Sequence, residues 1–186
     1  MKRTTCSLAR LGGLAALLVA QVAFAQQLSA PTKQHEELAT EVGVWDAEMS
    51  LWESADAEPF KSKGVETNKM LGKLWLISDF ESDFGGLKFA GHGQSGWDPL
   101  KKKYVGTWID TMSLFMQTME GDYDEDSHTL TMISTGIDPQ TGKEAKSKMI
   151  TRYTSDDEKT FELHMPVEGE DGKWWKMMEI KYTRRK

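Results

Sequence analysis

Cysteine is almost missing from this sequence. The one cysteine, Cys6, precedes an apolar run near the start, and no other residue of the 186 carries a thiol. A disulfide scaffold and a thiol nucleophile are therefore excluded for the body of the chain. Positive charge is also short: 23 Lys and Arg face 29 Asp and Glu, a formal charge of -6. A nucleic-acid binder needs a basic face to neutralise phosphates, so that class is excluded. Long amphipathic helical patterns are missing as well. So are an H-E-x-x-H zinc motif and a G-x-S-x-G nucleophile elbow. With 39% hydrophobic and 28% charged residues, the composition is still that of a folded domain.

What is present begins with an address. Lys2, Arg3 and Arg10 precede an apolar run from Leu11 to Val22, which closes on Ala23-Phe24-Ala25. That is the pattern of a cleaved secretory signal over residues 1–25. The run is shorter than the roughly 20 apolar residues a membrane span needs, so no stable membrane insertion is expected after cleavage. Without Lys2, Arg3 and Arg10 the remaining chain holds 20 basic against 29 acidic residues, a net charge of -9. The expected location is periplasmic or extracellular. Residues 26–33 read as a flexible tether and 34–186 as the folded domain.

From Gln34 to Val42 the pattern is that of a brief helix, with Leu38 and Val42 on one face and Gly43 as its stop. After Gly43 the period changes to two. Trp45, Ala47, Met49 and Leu51 alternate with Asp46, Glu48 and Ser50, the mark of a half-buried strand. Similar stretches place strands near 44–53, 60–70, 73–83, 87–97, 102–111, 114–123, 128–136, 144–155, 158–166 and 173–184. Asp98-Pro99, Asp138-Pro139 and acidic tips such as Asp122–Asp126 punctuate them with turn chemistry. Short strands, tight turns and no crossover helices predict an antiparallel meander. Ten such strands must hide their edges, and closure does so completely. The expectation is an all-β fold, a single up-and-down barrel of about ten strands, lipocalin-like, with a short N-terminal helix. A β-sandwich is the second choice.

The apolar phases are crowded with Trp45, Trp108, Met149, Tyr153 and Trp174. A barrel of this strand number encloses more space than side chains readily fill, and methionine adapts its shape to a loosely specified guest. The alternative is an ordinary packed core with Met as filler. Glu66 shares a phase with Ser62 and Asn68, and Asp110 follows Trp108 by two, so both carboxylates are candidates to meet a ligand's polar end.

Other motifs read as structure. Gly91-His92-Gly93-Gln94-Ser95-Gly96 has the letters of a dinucleotide fingerprint but runs into Trp97-Asp98-Pro99, a turn, where the motif requires a helix. Its glycines are expected to let a strand bend or pack against a Trp. Asp122, Asp124 and Asp126 lack the Gly and Glu of a calcium loop. His164 lies between Leu163 and Met165 and should face outward. No metal, cofactor or catalytic residue is expected.

His35-Glu36-Glu37-Leu38 with Gly43-Val44-Trp45, Leu71-Gly72-Lys73-Leu74-Trp75, Gly96-Trp97-Asp98-Pro99 and Tyr104-Val105-Gly106-Thr107-Trp108-Ile109-Asp110 resemble the bacterial domain-of-unknown-function family fifteen-seventy-nine. The resemblance runs from about His35 onward. Lys73 departs from it, where the family more often has a second Gly. It implies an exported, lipocalin-like barrel and no activity.

The leading expectation is a non-enzymatic exported barrel that binds a small apolar or amphipathic molecule. Trp45, Trp108, Met149, Tyr153 and Trp174 would line its cavity, and Glu66 or Asp110 would touch a polar group. Two alternatives stand beside it. One is an isomerase or hydrolase using Asp110 or Glu66 at the barrel mouth. The other is an envelope interaction module presenting Trp52, Trp75 or Trp175.

Overall fold

Alternation at period two makes each stretch bury one face, and that face needs neighbours on both sides. In the computed structural model, which describes residues 30–138 and 141–186, the strands meet that need by closing on themselves. They are β1 (Gly43–Leu51), β2 (Phe60–Leu71), β3 (Trp75–Phe84), β4 (Leu87–Asp98) and β5 (Lys103–Asp110). β6 (Gln117–Asp124), β7 (Thr129–Ile137), β8 (Glu144–Ser155), β9 (Glu158–Pro166) and β10 (Trp174–Arg184) follow. Each pairs antiparallel with its sequence neighbour, and β10 returns to β1. The barrel expected from the sequence is therefore the observed fold. The signal segment, residues 26–29 of the tether, and Pro139-Gln140 of one turn lie outside the described residues.

One helix, α1 (Lys33–Ala39), precedes the barrel. It starts one residue earlier and ends three earlier than the periodicity predicts. The backbone tightens to i−3 hydrogen bonds at Thr40, Glu41 and Val42 before β1 begins. Gly43 takes φ +140, and a Cβ there would lie 2.9 Å from the Arg184 guanidinium, so this position requires glycine. Leu38 from α1 packs with Leu76, Tyr104, Met119 and Met132, closing one end of the barrel. The Tyr104 hydroxyl donates to Glu37 on the same helix.

The meander puts the β1–β2, β3–β4, β5–β6, β7–β8 and β9–β10 connections at the opposite end. Register defines the lining. Trp45, Glu66, Phe80, Gly91 and Asp110 lie in successive Cα pairs across β1 to β5, and Met132, Met149, Leu163, Met178 and Leu51 do so across β7 to β10 and β1. A bulge between Lys176 and Met178 shifts the alternation of β10.

β6 starts three residues later than predicted. Asp110 Oδ1 accepts from the backbone N–H of Met112 (2.8 Å) and Ser113 (2.9 Å), and Ser113 Oγ accepts from the Phe115 N–H (3.1 Å). Side-chain turn bonds have displaced the ladder there.

Candidate functional site

The lumen combines a buried cluster with partly accessible side chains around it. On the β1–β4 side Trp45, Ala47, Met49 and Phe80 are buried and pack with Ile180 and Tyr182. On the β8–β10 side Met149, Phe161, Leu163 and Met178 also face inward, yet each keeps part of its surface accessible. Phe161 and Met178 pack against that cluster, as do Leu51, Phe84, Phe89 and Trp108, which are likewise partly accessible, whereas a solid core would have buried all of these side chains.

Glycine helps make the room. A Cβ at Gly91 would overlap the Trp108 ring, and one at Gly93 would lie 3.0 Å from it. Trp108 therefore lies flat along β4 rather than across the lumen. The fingerprint-like Gly91–Gly96 stretch is an inner and outer bed for tryptophans, with Gly96 under Trp75. Gln117 lies similarly over Gly136 and accepts from Ser134 Oγ at 3.1 Å.

The helix-capped end holds the ionic centre. Lys159, from β9, is buried, with its ammonium bonded to Glu41 and 3.1 Å from Glu66 Oε1. Glu66 Oε1 also accepts from Asn68 Nδ2 (2.8 Å), and Glu66 Oε2 accepts from the Tyr182 hydroxyl (2.9 Å). The ammonium lies 4.6 Å from the Trp45 ring centroid and 4.7 Å from that of Tyr182. Trp45 is 1% exposed, donates its indole N–H to the Glu41 carbonyl at 2.9 Å, and carries the Arg184 guanidinium 4.0 Å from its ring. Burial alone would push the Lys159 ammonium toward neutrality. The Glu66 and Glu41 carboxylates outweigh it and hold its pKa above the ordinary lysine value. Burial drives the Tyr153 and Tyr182 phenols well above their usual range, and Glu41 and Glu66 add to the effect. Asn68 Oδ1 is buried with no partner among the described residues.

The predicted residues therefore separate. Trp45, Glu66 and Tyr153 gather at the capped end, and Trp108, Asp110 and Met149 lie further along the lumen wall. Trp174 does not join them. Its backbone pairs with Pro166, and the Lys148 ammonium lies 5.4 Å from its ring centroid on the outer face. The bulge after Lys176 is the reason: ahead of it, Trp175 is the residue opposite inward-phase Met165. Asp110 is engaged by two backbone N–H groups and by the Trp108 indole at 3.0 Å. His164 lies 3.0 Å from Glu162, paired with outward Lys148 and Lys176. Trp52 carries the Lys176 ammonium 5.1 Å from its ring, and Trp75 is exposed on the outer face.

Sequence reading missed Lys159, Glu41 and Arg184. A signal existed for two of them. Lys159 shares the phase of Phe161, Leu163 and Met165, and Arg184 shares that of Ile180 and Tyr182. A cation on an apolar phase either snorkels or finds a carboxylate. Glu41, between helix and strand, carried no such mark.

Two open grooves of about 650 and 890 Å³ lie chiefly on the outer face of β1–β5. Much of their charged lining is paired, as with His92 and Asp79 at 2.6 Å and Lys88 and Asp83 at 2.7 Å, while Glu81 lines both.

A family model described as "Protein of unknown function (DUF1579)" matches residues 30–184, nearly the whole barrel chain. The chain belongs to the DUF1579 family. The crystal structure of Rv2717c from M. tuberculosis is similar, with a TM-score of 0.63 and 14% identity over 84% of this chain and 100% of that one. At that identity the likeness concerns the fold. No curated protein matches the sequence. Membership of DUF1579 thus supplies a barrel and leaves the activity to be argued from the lumen.

Proposed function

We propose that this DUF1579 barrel is exported and takes a small apolar or amphipathic molecule with an uncharged head into its lumen. One observation carries the reading: Met149, Phe161, Leu163 and Met178, with Leu51, Phe84, Phe89 and Trp108, face inward and remain partly accessible. Apolar, partly open interiors are where small ligands bind in barrels of this size. The lumen's charges argue for the uncharged head. Lys159 is already held by two carboxylates, and Asp110 adds a third acid along the same wall. A carboxylate guest would find no uncommitted inward-facing cation among the described residues.

An acid–base enzyme is less well supported. Both Glu66 oxygens and both Asp110 oxygens already accept hydrogen bonds, so neither residue is poised to take a substrate proton.

Nile red, an uncharged dye, tests the lumen directly. It should bind saturably with a blue-shifted emission and be displaced by 1-dodecanol more readily than by dodecanoate. Met149→Trp should abolish binding while leaving the melting temperature near wild type. No saturable uptake, or uptake unaffected by Met149→Trp, would overturn the reading. Export rests on residues 1–25, and N-terminal sequencing of the extracytoplasmic protein should begin at Gln26. A cytoplasmic protein retaining those residues would refute it.

A further inference from the structure

The most anomalous surface on the barrel is the β5–β6 loop. Thr111-Met112-Ser113-Leu114-Phe115-Met116 contains no charge, and the next charged residue after Asp110 is Glu120. Leu114 is 96% exposed, and Met112, Phe115, Met116 and neighbouring Ile109 are also exposed. These five make up nearly half of the large apolar residues that the described chain leaves in solvent. Scattered exposed apolar residues need no explanation, but a contiguous patch does.

The loop is also built to stay in place. Asp110 accepts from the N–H groups of Met112 and Ser113, and Ser113 Oγ both accepts from the Phe115 N–H and donates to the Phe115 carbonyl, each at 3.1 Å. The same Asp110 accepts from the lumen-facing Trp108 indole. The apolar tip is thus fixed relative to the barrel wall, at the end away from helix α1. Leu87 and Phe60 are exposed at that end too.

We propose that this loop is a lipid-docking tip, which seats the uncapped end of the barrel on a bilayer surface of no net charge. Shape and charge select the occupant. Leu114 stands almost wholly in solvent at the tip, so it suits a soft apolar medium, whereas a protein partner would have to supply a matching pocket. Two other connections at the same end are acidic, β1–β2 with Glu53, Asp56 and Glu58 and β9–β10 with Glu168, Glu170 and Asp171; they lie across the ring from this loop, which β3–β4 and β7–β8 flank. They repel an anionic bilayer. They equally repel a second copy of the same rim, in a chain whose net charge is -6. A zwitterionic lipid surface meets the apolar tip without either penalty. Docking by a few side chains is shallow and reversible, unlike a membrane span.

The chain's single cysteine makes the test direct. In a Cys6→Ser background, Leu114→Cys carries an environment-sensitive nitrobenzoxadiazole label, and Asp124→Cys, the last residue of β6 at the capped end, carries the control. With phosphatidylcholine vesicles the label at 114 should shift to the blue and brighten while the label at 124 does not. Vesicles made half of phosphatidylglycerol should give a weaker response. Unlabelled Leu114→Ser/Met116→Ser, which alters only exposed side chains, should bind phosphatidylcholine vesicles roughly tenfold more weakly by flotation. No shift at position 114 would overturn the proposal, including the case where the protein reaches vesicles through its N-terminal apolar run. Equal shifts at 114 and 124, or unchanged flotation of the double variant, would overturn it too.

Discussion

The Lys159 ammonium and the Glu66 carboxylate stand 3.1 Å apart inside the barrel, contributed by β9 and β2. Glu41 supplies the second carboxylate from the turn that follows α1, so the ion cluster ties the cap, the first hairpin and the last hairpin together. Removing the cation alone leaves two buried carboxylates facing each other. Lys159→Met should therefore destabilise the protein by about 3–5 kcal/mol, read from urea unfolding. Adding Glu41→Gln and Glu66→Gln to it should recover most of that loss, because no unpaired charge then remains buried. A Lys159→Met protein as stable as wild type would show that the cluster does not hold the cap.

The same centre fixes an alkaline limit. Lys159 holds its proton more tightly folded than unfolded, and so do the phenols of Tyr153 and Tyr182. Above the unfolded values, 10.5 for lysine and 10.0 for tyrosine, the unfolded chain binds fewer protons than the native one. Stability is therefore fully present below that range and falls as pH rises through it. Melting temperature should be flat from pH ~8 to ~9.5 and drop steeply beyond ~10.5. Tyr182→Phe should lower the plateau by about 1–2 kcal/mol, since Glu66 loses a donor, and make the drop shallower. An alkaline limb identical in Tyr182→Phe and wild type would remove that tyrosine from the account.

The barrel was legible because its signals are local and repeated. Alternation in Trp45–Leu51 and turn chemistry at Asp98-Pro99 each report on a few residues, and ten repetitions leave few topologies. The site was half legible. Glu66 and Asp110 stood out as acids on apolar phases, whereas Lys159 on the same kind of phase went unread. Trp174 was misplaced because a bulge at Lys176–Met178 shifts the phase with no Gly or Pro to announce it. Glu41 meets Lys159 across 118 positions of chain, a pairing that closure creates and no local pattern encodes.

Two inward glycines should respond differently to alanine. A Cβ at Gly91 meets the Trp108 ring, which can move into the lumen. A Cβ at Gly121 meets the Thr131 carbonyl and the Met132 backbone, which cannot move without breaking the β6–β7 ladder. Gly91→Ala should cost about 1–3 kcal/mol, shift Trp emission and weaken Nile red uptake. Gly121→Ala should cost more, with reduced soluble yield. If both variants melt alike, side-chain mobility is not what separates the two positions.

Asp110 sits where lumen and loop meet, and its two oxygens have separable duties. Oδ1 holds the backbone of Met112 and Ser113, and Oδ2 holds the Trp108 indole. Asp110→Ala strands all three donors and should cost about 1–3 kcal/mol. It should also speed chymotryptic cleavage at Leu114 and Phe115, because the loop loses the bonds that fix it. Asp110→Asn keeps one oxygen for the two backbone N–H groups but turns an N–H toward the indole. That variant should protect the loop nearly as well as wild type while shifting Trp emission as Asp110→Ala does. Equal cleavage rates in Asp110→Ala and wild type would mean that the loop's conformation is set by something other than this carboxylate.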